Sequence, residues 1–213
     1  MNDDMKKMIK DALLLFAITL IAGCILGTVY QVTKEPIAAQ KEKAKQEACR
    51  EVFAAADSFE TVETAVTDQG NAQLPADWAE QGFEGVDIGE VMTAADADGG
   101  VLGYVITVND HEGYGGDIEF MMGVANDGTL NGISLLSISE TAGLGMRAEE
   151  VLKPQFAGKA AESFEYVKSG AMGENQVDAI SGATITTHAV TNGVNAGLYY
   201  FRTILTGGGI SNE

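Results

Sequence analysis

An α+β protein with one N-terminal membrane-crossing helix is the fold class this sequence predicts. Three observations carry the prediction. An uncharged run extends from Ala12 to Val32. Short apolar segments punctuated by a strong turn follow it in the middle of the chain. The last long element repeats its apolar residues at helical spacing.

The uncharged run comes first. At about 1.5 Å per residue it reaches across a hydrocarbon core of roughly 30 Å. Lys6, Lys7 and Lys10 precede it, which predicts an N-terminus inside and a C-terminal part outside. Lys34, Lys41, Lys43, Lys45 and Arg50 follow on the far side and weigh against that orientation, interleaved though they are with Glu35, Glu42, Glu47 and Glu51. Two other readings compete. A cleaved signal peptide usually has a shorter apolar core, of about 7–15 residues. Leu20-Ile21-Ala22-Gly23-Cys24 is similar to a lipoprotein signal, yet the apolar run continues beyond Cys24 through Tyr30. The expectation is a retained helix with Cys24 unmodified, and Gly23, Cys24 and Gly27 as small packing residues.

Next, Ile37 to Phe53 is a charged, alanine-rich helix candidate with Pro36 near its first turn. Ile37, Ala44, Ala48 and Val52 form a thin apolar stripe. The segment reads as a stalk. The expected organisation is a cytoplasmic tail over 1–11, the span over 12–32, the stalk over 33–53, a domain over 54–205 and a flexible tail over 206–213.

Within the domain, Val101–Val108, Ile118–Ala125 and Leu130–Ile138 are apolar and β-rich. Asn126-Asp127-Gly128 is a turn between the last two. An antiparallel meander follows, begun by Val86–Thr93. Glu149–Phe156 is a short helix candidate, broken or redirected at Pro154. The C-terminal helix is expected from Thr186 or Thr187, with Val190, Val194, Leu198 and Phe201 facing the core.

Composition narrows the function. Residues 1–53 carry eight Lys/Arg and seven Asp/Glu, and the remaining residues carry five and 24, within a total net charge of −18. An acidic globular part repels nucleic acid, which excludes that class of partner. The charge otherwise reads as solubility. The two cysteines, Cys24 and Cys49, make no disulfide framework, and His111 and His188 have no ligand-spaced partners. Iron–sulfur, haem c and zinc sites therefore lack their residues, and no metal ligands are assigned. If the protein moves electrons, the carrier is organic.

The sharpest motif is Asp178-Ala179-Ile180-Ser181-Gly182-Ala183-Thr184-Ile185-Thr186-Thr187. A small, hydroxyl-rich turn here enters a helix. Ser181, Thr184, Thr186 and Thr187 offer hydroxyls, and the helix start offers unpaired N–H groups for a phosphate. Gly182 permits close backbone approach. An ordinary Ser or Thr N-cap accounts for the same residues.

That stretch resembles the flavinylation motif of FMN-binding domains, Asp-x-x-(Ser/Thr)-Gly-Ala-(Thr/Ser), with Thr184 at the acceptor position. Glu140-Thr141-Ala142-Gly143-Leu144-Gly145 is similar to the family's Glu-Thr-Pro-Gly-Leu-Gly loop, with Ala142 where proline is usual. Gly113-Tyr114-Gly115-Gly116 resembles a further family loop, and Gln155-Phe156-Ala157-Gly158-Lys159 another in which Lys159 reads as structural. In order of parts the chain resembles the G subunits of Rnf-type ion-translocating ferredoxin:NAD oxidoreductases.

The resemblance implies an extracytoplasmic FMN-binding domain. It implies FMN joined to Thr184 by a phosphoester, placed there by a flavin transferase from FAD. It also implies electron transfer within a membrane complex of several subunits that moves Na⁺ or H⁺, with no turnover by this chain alone and no catalytic side chain of its own. Asp178, Ser181, Gly182, Ala183, Thr186 and Thr187 would surround the attachment, and Glu140, Thr141, Gly143, Leu144, Gly145 and Tyr114 the flavin ring. Asp178 would serve the attachment reaction or cap the turn. The alternatives are the C-type subunit of the sodium-translocating NADH:quinone oxidoreductase, a stand-alone extracellular flavoprotein, and a membrane-anchored binding module without cofactor.

Overall fold

A computed structural model describes residues 3–62 and 72–207. The tail expected from 206 therefore lies, from 208 onward, outside the described residues. The chain divides into two compact units, Met1–Ala44 and Lys45–Glu213.

The first unit is helical. Helix α1 runs Asp3–Val52, and its last turns belong to the second unit. It continues through Pro36, and the span expected over 12–32 and the helical stalk expected over 33–53 fall within this one element as far as Val52. A proline removes one intrahelical N–H bond, and the residues around it keep the helical path. Among the described residues, this is the one helix long and apolar enough to cross a membrane. The large apolar side chains of its 12–32 stretch, such as Leu14, Ile18, Ile21, Ile25 and Val29, are exposed. The threonine hydroxyls along it, of Thr19, Thr28 and Thr33, are satisfied internally. Thr28 Oγ1 donates to the Cys24 carbonyl and Thr33 Oγ1 to the Val29 carbonyl, each at 2.8 Å. A hydroxyl bonded to its own helix is compatible with a hydrocarbon surrounding.

The second unit is built on a five-stranded antiparallel meander in the order β1-β2-β3-β4-β5. The strands are β1 (Ser58–Thr61), β2 (Val86–Ala95), β3 (Val101–Asp110), β4 (Ile118–Ala125) and β5 (Leu130–Ile138). Between β4 and β5, Gly128 adopts φ 87° and Asp127 Oδ1 accepts the Thr129 N–H at 2.9 Å, which closes the expected turn. The central strands are buried on both faces, so their sequences read as apolar runs rather than strict alternation. Phe120 and Met122 face one side, and Met121 between them faces the other.

The Met121 face, with Met92, Ala94 and Val105, receives Ala48, Cys49, Val52 and Phe53 from the end of α1. Glu51 reinforces this seam, accepting from Ser134 and pairing with Lys153 at 2.7 Å. The opposite face is covered by helix α4 (Thr184–Tyr200), which ends in a π-turn over Phe201–Leu205. Glycines inside α4 let it press onto the sheet. A Cβ at Gly193 would stand 3.0 Å from the Phe120 ring, and one at Gly197 would stand 2.1 Å from Met122 Sδ. Helix-interior glycine costs about 1 kcal/mol against alanine, and here it permits the close approach.

Between β5 and α4 lie α2 (Ala148–Val151), α3 (Lys153–Phe156), β6 (Glu165–Val167) and β7 (Gln176–Asp178). Pro154 sits in the first turn of α3, at the division expected within Glu149–Phe156. Strands β6 and β7 pair in parallel. These short polar strands, and β1, are additions to what the sequence shows.

Candidate functional site

At one end of the meander β3 finishes, β4 starts and β5 finishes, and the N-terminus of α4 arrives beside them. Three connecting segments meet there, 113–116, 140–145 and 182–186. They enclose a cavity of about 470 Å³. It is lined by Tyr114, by Glu140, Thr141, Leu144 and Gly145, and by Gly182, Ala183, Thr184, Ile185 and Thr186. That volume falls within the usual range for cofactor sites, about 300–1,000 Å³.

The 182–186 segment is built by its turn. Gly182 adopts φ +80°, a left-handed conformation that glycine takes without strain. Ala183 is the N-cap of α4 and makes no side-chain capping bond. The helix thus begins at Thr184, two or three residues earlier than the Thr186 or Thr187 start expected from the sequence, with Ala183 and no Ser or Thr at the cap. The N–H groups of Thr184, Ile185 and Thr186, the first three residues, have no carbonyl one turn back within the helix. Thr184 and Ile185 are exposed at the cavity.

Thr187 and Asp178 are engaged elsewhere. The Thr187 hydroxyl, fully buried, donates to the Ala183 carbonyl at 2.9 Å and accepts the Ile180 N–H at 3.1 Å. It staples the turn and does not line the cavity. Asp178 Oδ1 accepts the Ala171 N–H at 2.9 Å, and its backbone is bracketed by the Gln155 amide. It fixes the chain leading to the turn, away from the lining residues. Ser181 is exposed and is not among the lining residues.

The 140–145 segment closes on the Thr141 carbonyl, which accepts the N–H groups of Leu144 and Met146. Gly143, at φ +78°, makes the bend and lies outside the cavity lining. Gly145 is where this loop meets α4. A Cβ there would stand 2.6 Å from Thr186 Oγ1 and 2.7 Å from Glu140 Oε2. The 113–116 loop is bound to the same end of β5: the Gly115 N–H donates to Glu140 Oε1 at 3.2 Å. Glu140 therefore ties two of the three walls together. Lys159 lies apart, donating to the Gln176 carbonyl at 2.9 Å and standing over the Phe164 ring, a structural role.

Of the residues singled out from sequence, nine meet at the cavity, and Asp178, Ser181, Thr187 and Gly143 stand outside its lining. Ile185 was not singled out. Its signal was its place directly after Thr184 in an otherwise small, polar turn.

The cavity lining holds no Lys or Arg; its ionisable members are Glu140 and Tyr114. An anion here would rely on the backbone donors and dipole of α4. The apolar walls of Tyr114, Leu144 and Ile185 suit a flat ring system. The residues present thus fit a molecule with an aromatic ring and one phosphate. Beyond the cavity, His111 lies between Asp87 at 3.1 Å and Asp117 at 3.0 Å, and their carboxylates hold its pKa above the usual value.

Comparison with known proteins gives a consistent picture. The FMN-binding domain family matches residues 113–199, and the RnfG N-terminal region matches residues 1–52. The chain is 32% identical over 203 residues to the G-type subunit of the Na⁺-translocating ferredoxin:NAD⁺ oxidoreductase complex of Acetobacterium woodii, covering 94% of this chain and 95% of that one. It is 33% identical over 208 residues to the G-type subunit of the proton-translocating ferredoxin:NAD⁺ oxidoreductase complex of Clostridium ljungdahlii, covering 93% and 97%. It is 29% identical to the G-type subunit of an ion-translocating oxidoreductase complex of Methanosarcina acetivorans, covering 92% and 96%. Among solved structures, Shewanella oneidensis NqrC shares the fold, with a TM-score of 0.51, 18% identity, and coverage of 74% of this chain and 86% of that one.

Proposed function

Because the chain belongs to the family of G-type subunits of ion-translocating ferredoxin:NAD oxidoreductase complexes, we propose that it is the FMN-carrying electron-transfer component of such a complex, with the flavin held covalently on Thr184. The single observation that carries the proposal is the cavity. Thr184, the uncapped start of α4 and three apolar side chains converge there, inside the segment that matches the FMN-binding domain.

Bound FMN supplies a ring that takes up and releases electrons. The chain's residues hold it. Thr184 Oγ1 would hold the flavin phosphate as an ester. With FAD as donor, a separate flavin transferase would break the phosphoanhydride bond, AMP would leave and the threonine hydroxyl would give up its proton. The free N–H groups of Thr184, Ile185 and Thr186 stabilise the phosphate charge. Gly182 and Ala183 bring the backbone close, Thr186 and Gly145 join the turn to the 140–145 loop, and Thr141 offers a hydroxyl to the ring edge. Asp178 and Thr187 hold the turn in shape; of the two roles open to Asp178, its hydrogen bonding supports the structural one.

The helix through Ala12–Val32 anchors the chain in the membrane, with Lys6, Lys7 and Lys10 on the cytoplasmic side and the FMN domain outside. A covalent link suits that location, because a lost flavin would not be replaced there. The partners are the other subunits of the complex. The relatives include one named for Na⁺ and one named for protons, so the coupled ion does not transfer from them.

Relationship to the C-type subunit of the NADH:quinone oxidoreductase is supported at the level of fold, whereas full-length sequence similarity favours the ferredoxin:NAD type. A cofactor-free binding module is disfavoured by the match to the FMN-binding domain. The test is purification from native membranes followed by denaturing electrophoresis. The proposal expects a fluorescent flavin band at this chain's mass and co-purifying redox subunits. A dark band from membranes with an active flavin transferase would contradict it.

A further inference from the structure

The 113–116 loop carries Tyr114 to the cavity, yet its own residues hold it weakly. Positions 113, 115 and 116 are glycine, and Tyr114 is 69% exposed, so burial of that ring does not fix the loop. The tip is tied to β5 through Gly115 and Glu140. The base is tied by His111. Its N–H donates to the Gly85 carbonyl at 2.8 Å, one step past the last β2–β3 pair, Val86 with Asp110. Its ring then reaches in two directions. Nδ1 stands 3.0 Å from Asp117 Oδ1, at the head of β4, and Nε2 stands 3.1 Å from Asp87 Oδ2, on β2.

Ionised carboxylate oxygens only accept, so each of these bonds needs a hydrogen on its own ring nitrogen. The two form together in the imidazolium alone. A neutral ring keeps one N–H and loses one of the links. The surroundings favour the cation. The ionisable groups about the ring are Asp87 from β2, Asp117 before β4, Asp110 at the end of β3 and Glu112 beside it. Among the described residues no Lys or Arg pairs with any of these four carboxylates. Hydrogen bonding to Asp117, and then to Asp87, holds the His111 pKa above the usual 6.5.

We infer that His111 is a positioning residue of the flavin cavity: as an imidazolium it locks the base of the 113–116 loop across β2, β3 and β4, and so fixes the Tyr114 wall. The inference rests on the reading of the cavity as the flavin site and gives that site a wall that responds to pH. The lock is complete in acid and opens as pH rises through the His111 value.

Two probes test it in the detergent-solubilised full chain. The first needs no flavin: NMR of ring-labelled tyrosine, with Tyr114→Phe identifying the Tyr114 resonance. Between about pH 5 and 9 that resonance should move in one step with its midpoint above 6.5. In His111→Gln, whose amide does not titrate, the step should vanish and the resonance should lie at the alkaline position. In Asp117→Asn the step should remain with a lower midpoint, because a charge that supports the cation is gone. In Asp110→Asn the step should persist. The second probe is the visible circular dichroism of the flavinylated chain, which should show the same step and lose it in His111→Gln.

A Tyr114 resonance independent of pH in the unaltered chain would overturn the inference. So would a step that persists in His111→Gln, which would assign the titration to Asp110 or Glu112. A Tyr114 step that the flavin signal does not share would overturn the role in positioning the cofactor. A chain that takes no covalent flavin would instead contradict the Thr184 reading, while the Tyr114 resonance would still decide whether His111 locks the loop. Fluorescence of Trp78, buried in the main core, reports that each variant is folded.

Discussion

Replacing Asp110 by asparagine should stabilise the protein at neutral and alkaline pH and leave it unchanged in acid. Asp110 ends β3 with 0% of its surface exposed. Its Oδ1 accepts the Glu112 N–H at 2.8 Å, and Oδ2 has no partner among the described residues. Burial, with the Glu112 charge adding to it, pushes its pKa from 3.8 up to about 6. A group whose folded pKa is raised contributes stability that is full below its unfolded pKa and lost as pH rises through the folded one. For Asp110 that window runs from 3.8 to about 6. At about 1.4 kcal/mol per pH unit the loss is roughly 3 kcal/mol, and screening by nearby water lowers the expectation to about 2 kcal/mol.

Asp110→Asn keeps the acceptor for the Glu112 N–H and never ionises. Near pH 8 it should be more stable than the parent by about 2 kcal/mol, which moves a urea midpoint by about 1 M. Near pH 4 the two midpoints should agree. Trp78 is the one tryptophan, so its fluorescence follows unfolding of the globular unit in the detergent-solubilised full chain. The carboxylates around His111 raise its pKa too and give a trend of the same sign. The comparison with Asp110→Asn separates the two. An equal difference at both pH values, or a variant less stable near pH 8, would refute the reasoning.

Two further perturbations probe the site and the anchor. Gly145→Ala should cost about 1–3 kcal/mol by overpacking, because its methyl would press on Thr186 Oγ1 and Glu140, and flavin incorporation should fall with it; an unchanged urea midpoint and unchanged flavin content would contradict the close contact. A cysteine introduced at Asp98, in the exposed β2–β3 turn, should react with a membrane-impermeant maleimide added outside intact cells; labelling that requires access from the cytoplasmic face would reverse the proposed orientation.

Much of the architecture is legible because burial writes itself into composition. The span shows as an absence of charge from Ala12 to Val32, and β4 and β5 match their apolar runs end to end. Strands β1, β6 and β7 escape notice because they are three or four residues long, polar and half-exposed, and so carry no period. The start of α4 is displaced because Ala183, without a capping side chain, occupies the N-cap.

At the site, the two glycine-containing motifs and Tyr114 meet as their resemblance implies. What sequence could not separate is which hydroxyls face the cavity. Thr184 and Thr187 are alike as letters, but the first is exposed at the start of the helix and the second is buried against the turn that leads into it. One meets the cavity, while the other is consumed by Ile180 and Ala183. Asp110 is another tertiary fact. Its carboxylate is ordinary in sequence and perturbed by the strands on either side.

The attachment to Thr184 is tested most directly by peptide mass mapping of the chain produced together with an active flavin transferase, beside its Thr184→Val variant. The added FMN mass should map to Thr184 in the parent. It should vanish in the variant, whose Trp78 unfolding midpoint stays within about 0.5 kcal/mol of the parent, since the replaced side chain is exposed and keeps its shape. FMN retained by the variant, or mapped in the parent to Ser181 or Thr186, would contradict the assignment.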